Sequence, residues 1–180
     1  MSRFAEDATS ARTSWSTSFT GGRRSTTRGS VPTSTRCSTR NLSSVAERIP
    51  RGVLDTSVVI DLDRLEAAQL PVECAIAAVT LAELASGPHA TSDPVERSRR
   101  QDRLQLVERT FDPLPFDADA ARAYGRIYAL VVARGRKARG ARVVDLLIAA
   151  TAAGAGLPVF TRNPDDFTGL EEVVQVVPVR

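Results

Sequence analysis

Histidine and cysteine are scarce in this chain, and each shortage closes off a class of function. A single histidine, His89, leaves no multi-histidine zinc site to build. Two cysteines, Cys37 and Cys74, are too few for a disulfide framework and lack metal-ligand spacing. Cys74 lies in an apolar run and reads as a small packed hydrophobe. No apolar stretch approaches the roughly 20 residues that span a bilayer. No apolar segment follows Met1, so a secretory signal is not expected and a reducing, cytoplasmic setting is. The phosphate-cradling Gly-x4-Gly-Lys pattern is missing, and Gly154-Ala155-Gly156 lacks the third glycine of a dinucleotide loop. A phosphatase with an Asp-x-Asp motif would need an acid at position 57, which is serine.

What is present divides into two parts. Residues 1–49 carry 8 arginines against 3 acids and hold 20 serines or threonines. Such a segment has too little apolar area to offset its ordering entropy, so disorder is expected. It reads as a flexible basic tail, as a transit-like peptide, or as an untranslated stretch upstream of a true start near Val45 or Val53. The rest, 50–180, holds 16 basic and 18 acidic residues, so the overall charge of +3 belongs to the tail and names no partner for the folded domain.

From residue 51 strand-like and helix-like segments alternate. Strands are expected at 51–55, 74–79, 157–160 and 173–177, and a short helix at 57–66. Asp93-Pro94-Val95-Glu96 starts a helix running to about Phe111, with Leu104, Leu106, Val107 and Phe111 toward its apolar side. Asp117 caps another, ended near Gly135, and Val143 to Ala153 is apolar nearly all round, as in a buried helix. This alternation predicts an α/β fold: a central parallel sheet of four or five strands with helices on both faces.

Three acids interrupt apolar runs: Asp55 after the first strand, Glu83 after the second, and Asp145 in the buried helix. A polar cluster, Thr161-Arg162-Asn163-Pro164-Asp165-Asp166, follows a later strand. All four fall near one edge of a parallel sheet, where α/β proteins gather ligands. Carboxylates crowded there repel unless a cation joins them, and oxygen donors of this kind suit Mg²⁺ or Mn²⁺. Plainer roles stand beside this one. Thr80-Leu81-Ala82-Glu83 is itself a capping box, and Asp145 lies one turn from Arg142. Asp55 suits a helix cap, and Asp165 and Asp166 suit a turn. Arg134, Arg136, Lys137, Arg139 and Arg142 form a basic run that is either a phosphate-holding loop beside the acids or a solvated one.

Taken in order, Leu54-Asp55-Thr56-Ser57, Val79-Thr80-Leu81-Ala82-Glu83-Leu84, Asp145-Leu146-Leu147-Ile148-Ala149-Ala150-Thr151-Ala152 and Val159-Phe160-Thr161-Arg162-Asn163 with Asp166-Phe167 resemble a PIN-domain ribonuclease. The likeness is to the VapC toxins of bacterial VapBC toxin–antitoxin pairs and covers about residues 52–180. It implies a metal-dependent endoribonuclease that leaves a 5′ phosphate and a 3′ hydroxyl. Asp55 and Asp145 would be the chief Mg²⁺ or Mn²⁺ ligands, with Glu83 completing the pocket and orienting the nucleophile. Thr56 or Ser57 would offer a hydroxyl near the metal or cap the first helix. Asn163 stands where the family often has Asp, so either Asn163 or Asp166 would finish the site. Arg136, Lys137 and Arg139 would hold RNA. The resemblance further implies a homodimer silenced by a VapB-type antitoxin whose tail occupies the acidic groove; the lack of a long apolar run gives no membrane association to expect. The alternatives are a non-catalytic RNA- or protein-binding PIN module and a housekeeping RNA-processing nuclease.

Overall fold

In the central layer, side chains alternate between two faces because successive residues of a strand point opposite ways. A computed structural model describes residues 48–135 and 140–180, and the backbone of Thr35–Arg36. Strands β2 (Arg51–Leu54), β3 (Glu73–Ile76), β4 (Val159–Thr161) and β5 (Val176–Pro178) form a parallel sheet in the order β3-β2-β4-β5. A two-residue strand β1 (Thr35–Arg36) runs antiparallel along the outer edge of β3. The remainder of the 1–49 tail, apart from Arg48 and Ile49, lies outside the described residues. Arg48 already belongs to the fold: its guanidinium donates to the carbonyls of Leu70 and Pro71.

Val53, Ala75 and Val159 turn to one face, where they pack with helices α4 (Ala118–Ala133) and α5 (Ala141–Gly154). Leu54, Cys74, Ile76 and Phe160 turn to the other, against α1 (Thr56–Ile60), α2 (Ala78–Ser86) and α3 (Pro94–Thr110). Both faces are thus covered, which is why the strands read as continuous apolar runs.

Local chemistry sets several helix ends as the sequence predicts. Asp93 accepts from the Val95 amide, with Pro94 at the first helical position. Asp117 accepts from Asp119 and Ala120, and Gly135 takes the left-handed φ of 67° just past α4. Other expectations are corrected. The first helix stops at Ile60 rather than 66, the second strand ends at Ile76, and α2 starts at Ala78, ahead of Thr80. The final strand lies at 176–178 rather than 173–177. Leu106 is 64% exposed, because only Leu104, Val107 and Phe111 of α3 face the sheet.

Helix α5 is buried as its composition predicts: Leu146, Ile148, Ala149, Ala150 and Ala152 have no exposed surface. Its close approach to α4 depends on Gly154, where an added Cβ would lie 2.7 Å from the Ala120 amide nitrogen and 2.9 Å from Ala120 Cα. Within a helix Gly→Ala ordinarily gains about 1 kcal/mol. Here the obstacle is backbone, so Gly154→Ala is expected to lose about 1–3 kcal/mol of stability in urea denaturation.

Candidate active site

Strand order reverses at β2: the chain steps from it to β3 on one side, then returns through the helices to β4 on the other. Ligand sites in open α/β sheets lie outside the carboxyl ends of the strands at such a point. Asp55 follows β2 there, and Thr161 ends β4 beside it.

Asp55 is 4% exposed and sits at the N-cap of α1, yet its side chain makes no capping bond. Its main-chain carbonyl accepts the first helical amides, Val58 and Val59. The carboxylate is held by hydroxyls instead. Ser57 Oγ and Thr161 Oγ1 donate to the same oxygen, Oδ2, at 2.6 and 2.8 Å. Each hydroxyl is fixed in turn by a main-chain amide: Arg162 N–H reaches Ser57 Oγ at 3.1 Å, and Asn163 N–H reaches Thr161 Oγ1 at 3.0 Å. Helix α1 and the end of β4 therefore lock one carboxylate oxygen, and no hydrogen bond from a described residue is made to the other. Arg162 adds an outer tie, its guanidinium bonding Asp61, which Arg64 also approaches at 3.3 Å.

Glu83 is not a capping residue. The helix begins at Ala78 with Ala77 as N-cap, so Glu83 stands in its middle and accepts from Thr56 Oγ1 at 2.5 Å. Burial raises its pKa, the Thr56 hydroxyl lowers it, and the nearby Asp55 charge raises it. Thr56 thus offers its hydroxyl to Glu83 and Ser57 to Asp55, and neither side chain caps α1.

Asp145 is half-buried in the second turn of α5, with its pKa pushed up to about 7. Burial is the largest cause, followed by the charges of Asp55, Asp166 and Glu83; Arg142 opposes them. Four acids from four separate segments therefore share one electrostatic neighbourhood. The Arg142–Asp145 ion pair that their spacing suggests does not form, and Arg142 acts on Asp145 only through space. Asp166 is drawn in by a turn in which its amide donates to the Asn163 carbonyl at 3.1 Å. Asn163 is exposed and joins the network through its main chain. Arg136, Lys137 and Arg139 lie outside the described residues.

Among the described residues, no three His, Cys, Asp or Glu side chains stand close enough to enclose a cation as they are. The donor set still suits a hard divalent ion: four carboxylates, one of them held back from ionising first by burial and then by the charge of the others, a cost that a cation would relieve. Mg²⁺ in particular binds through one or two carboxylates and keeps several waters, so a loose cluster is no obstacle to it.

Sequence reasoning gives Thr161 no role of its own, although a hydroxyl closing a fully buried strand is a readable signal. Thr161→Val keeps the shape but strands the Asn163 amide and removes one of the two donors to Asp55. The expected loss is about 1–3 kcal/mol in chemical denaturation. Any RNA-cleaving kcat should fall about ten- to a hundredfold, as misplacement of a reacting group does.

A PIN-domain family profile matches residues 52–172. Ribonuclease VapC5 of Mycobacterium tuberculosis is 39% identical over 132 residues, covering 72% of this chain and 94% of that protein. Ribonuclease VapC of Rickettsia bellii is 32% identical over 133 residues, 71% of this chain and 97% of its own length. The crystal structure of the toxin–antitoxin complex VapBC-5 from Mycobacterium tuberculosis superposes with a TM-score of 0.62 at 40% identity, covering 73% of this chain and 98% of the matched one. The shared profile, the identity across nearly the whole length of these relatives and the common fold place this chain in the PIN-domain family, among the VapC ribonucleases.

Proposed function

We propose that this chain is the toxin of a type II toxin–antitoxin pair, an endoribonuclease that hydrolyses RNA phosphodiester bonds with the help of Mg²⁺ or Mn²⁺. The observation that carries the reading is the meeting of Asp55, Glu83, Asp145 and Asp166 at the strand-order reversal, in a chain related to VapC ribonucleases. Asp55 and Asp145 would hold the ion, with Asp55 presenting its unlocked oxygen. Ser57 and Thr161, which donate to its other oxygen, would hold the carboxylate in place for this role. When bound, the ion supplies charge neutralisation at the phosphate and acidifies a water molecule. Glu83, braced by Thr56, would orient the attacking water. Asp166 supplies the fourth acid, and the charge it exerts on Asp145 supports it over Asn163.

The partner is a VapB-type antitoxin. Its tail would occupy the acidic groove, and an apolar groove of about 420 Å³ between α1 and α3, lined by Val59, Ile60, Leu62, Leu106, Val107 and Phe111 among others, offers it a further seat. In the same reading the toxin is a cytoplasmic homodimer; no helix among the described residues is long and apolar enough to cross a membrane.

The test incubates the purified chain with a structured RNA and Mg²⁺ or Mn²⁺. Fragments with 5′ phosphate and 3′ hydroxyl ends, suppressed by EDTA and by a co-expressed antitoxin from a neighbouring gene, are expected. RNA bound but left uncut under all metal conditions would favour the non-catalytic binding module. Cleavage without a partnered antitoxin gene would favour a housekeeping nuclease.

A further inference from the structure

Among the acids of the candidate site stands one cation whose hydrogen bonds are unspent. Arg142 lies one helical turn before Asp145, and its charge opposes the rise of the Asp145 pKa. Its Nε and Nη2 are both buried and have no hydrogen-bond partner among the described residues. These two nitrogens form one edge of the guanidinium, whose parallel N–H groups match the two oxygens of a phosphate or carboxylate. Leaving such an edge buried without an acceptor is costly, and structures rarely do so without a reason. Asp145 feels the Arg142 charge, yet it does not take that edge. The N-terminus of α5 tells the same way: its cap is Gly140, at φ 62°, with no side chain to satisfy the first amides. Arg142 is the second residue of α5, so its charge adds to the positive end of that helix's dipole.

We infer that Arg142 and the α5 N-terminus form the seat of an RNA phosphate, beside the acids that hold the cation. This rests on the ribonuclease reading and adds to it the residue that grips the substrate backbone. A carboxylate from a protein partner has the same two-oxygen geometry. The phosphate is favoured because a phosphodiester held one turn from Asp145 is delivered to the reacting centre, whereas a carboxylate there would only add to the acids. Arg142 is half-buried, and seating a phosphate calls for a rotamer change that carries its fork out to the pocket. Because it would contact RNA directly, it belongs to the substrate-binding residues.

The experiment uses the full chain in EDTA at low salt, where binding is read without cleavage. A fluorescent single-stranded RNA of about ten nucleotides reports affinity by anisotropy for the wild type, Arg142→Lys and Arg142→Met. Arg142→Met is expected to weaken binding about tenfold or more, and Arg142→Lys, which keeps the charge but loses the fork, by most of that. The salt slope of binding should shrink by about one in Arg142→Met. In the same variant Tm should rise by a few degrees, since an unpaired buried charge gives way to an apolar chain of similar reach. A merely structural arginine would instead lower Tm when replaced. Equal affinity of all three proteins overturns the inference. So does binding lost together with Tm, no measurable binding by the wild type, or Arg142-dependent capture of an acidic peptide with RNA binding unaffected. Cleavage by the wild type in Mg²⁺, run in parallel, separates the two ideas. Arg142-dependent RNA binding without cleavage would unseat the ribonuclease reading alone, and cleavage with Arg142-independent binding would unseat the phosphate seat alone.

Discussion

Asp55→Asn is expected to cut RNA cleavage by at least about a thousandfold while leaving the chain folded. A divalent ion at a phosphodiester supplies several kcal/mol of transition-state stabilisation, and about 4 kcal/mol corresponds to three powers of ten. Asparagine retains an oxygen for the Ser57 and Thr161 hydroxyls that now hold Oδ2, so the bracing between α1 and the end of β4 survives. What goes is the charge. Removing it also takes away the largest like-charge contribution to the raised Asp145 pKa. The metal-free variant should therefore be at least as stable as the wild type, and its Asp145 should ionise at lower pH. A stable protein that no longer cuts, with an intact melting transition, is the signature of lost chemistry. Cleavage at the wild-type rate would remove Asp55 from the site and undo the assignment.

The parts of this fold that were legible in the sequence are those fixed within a few residues of chain. Asp93 with Pro94, and Asp117, cap their helices through amides two or three residues ahead, so composition alone locates them. The buried strands and α5 announce themselves by unbroken apolar runs. The errors arise where a distant segment competes with a local preference. Thr80 and Glu83 have capping-box spacing, but the Ala78 amide bonds to the Leu114 carbonyl and the helix starts there, leaving Thr80 fully buried inside it. Glu83 is thereby freed for Thr56, 27 positions earlier. Helix α1 stops at Ile60, and the next residue, Asp61, is engaged by Arg162 from across the sheet, which no local pattern encodes. The acids of the site were readable because each breaks an apolar run. The hydroxyl of Thr161 and the unpaired edge of Arg142 were not, since their meaning depends on which neighbours do or do not reach them.

Because Asp145 titrates near neutrality, the stability of the metal-free protein is expected to fall as pH rises from about 4 to about 7. Its carboxyl has a pKa of about 7 in the folded chain against 3.8 as the ordinary value, raised first by burial and then by Asp55, Asp166 and Glu83. Below the lower value the group is protonated folded and unfolded, and contributes nothing to the pH dependence. Between the two values the folded state binds more protons, so each step up in pH favours unfolding. Above about 7 the full penalty of an ionised, crowded Asp145 is present, reduced by the solvent that reaches this half-buried group. Glu83, whose pKa is also raised, acts in the same direction. Other carboxylates titrate over this range, so the informative quantity is the difference in Tm between wild type and Asp145→Asn, which should shift in favour of the variant as pH climbs. Mg²⁺ reverses the trend. An ion that binds the deprotonated cluster stabilises the folded chain by about 2.7 kcal/mol at a hundred times its dissociation constant, and that gain should be large at pH 8 and small at pH 5. Thermal melts at both pH values, with EDTA or excess Mg²⁺, give all four numbers. A Mg²⁺ shift of equal size at pH 5 and pH 8, undiminished by Asp145→Asn, would mean that the ion binds elsewhere on the surface and that these acids are not its site.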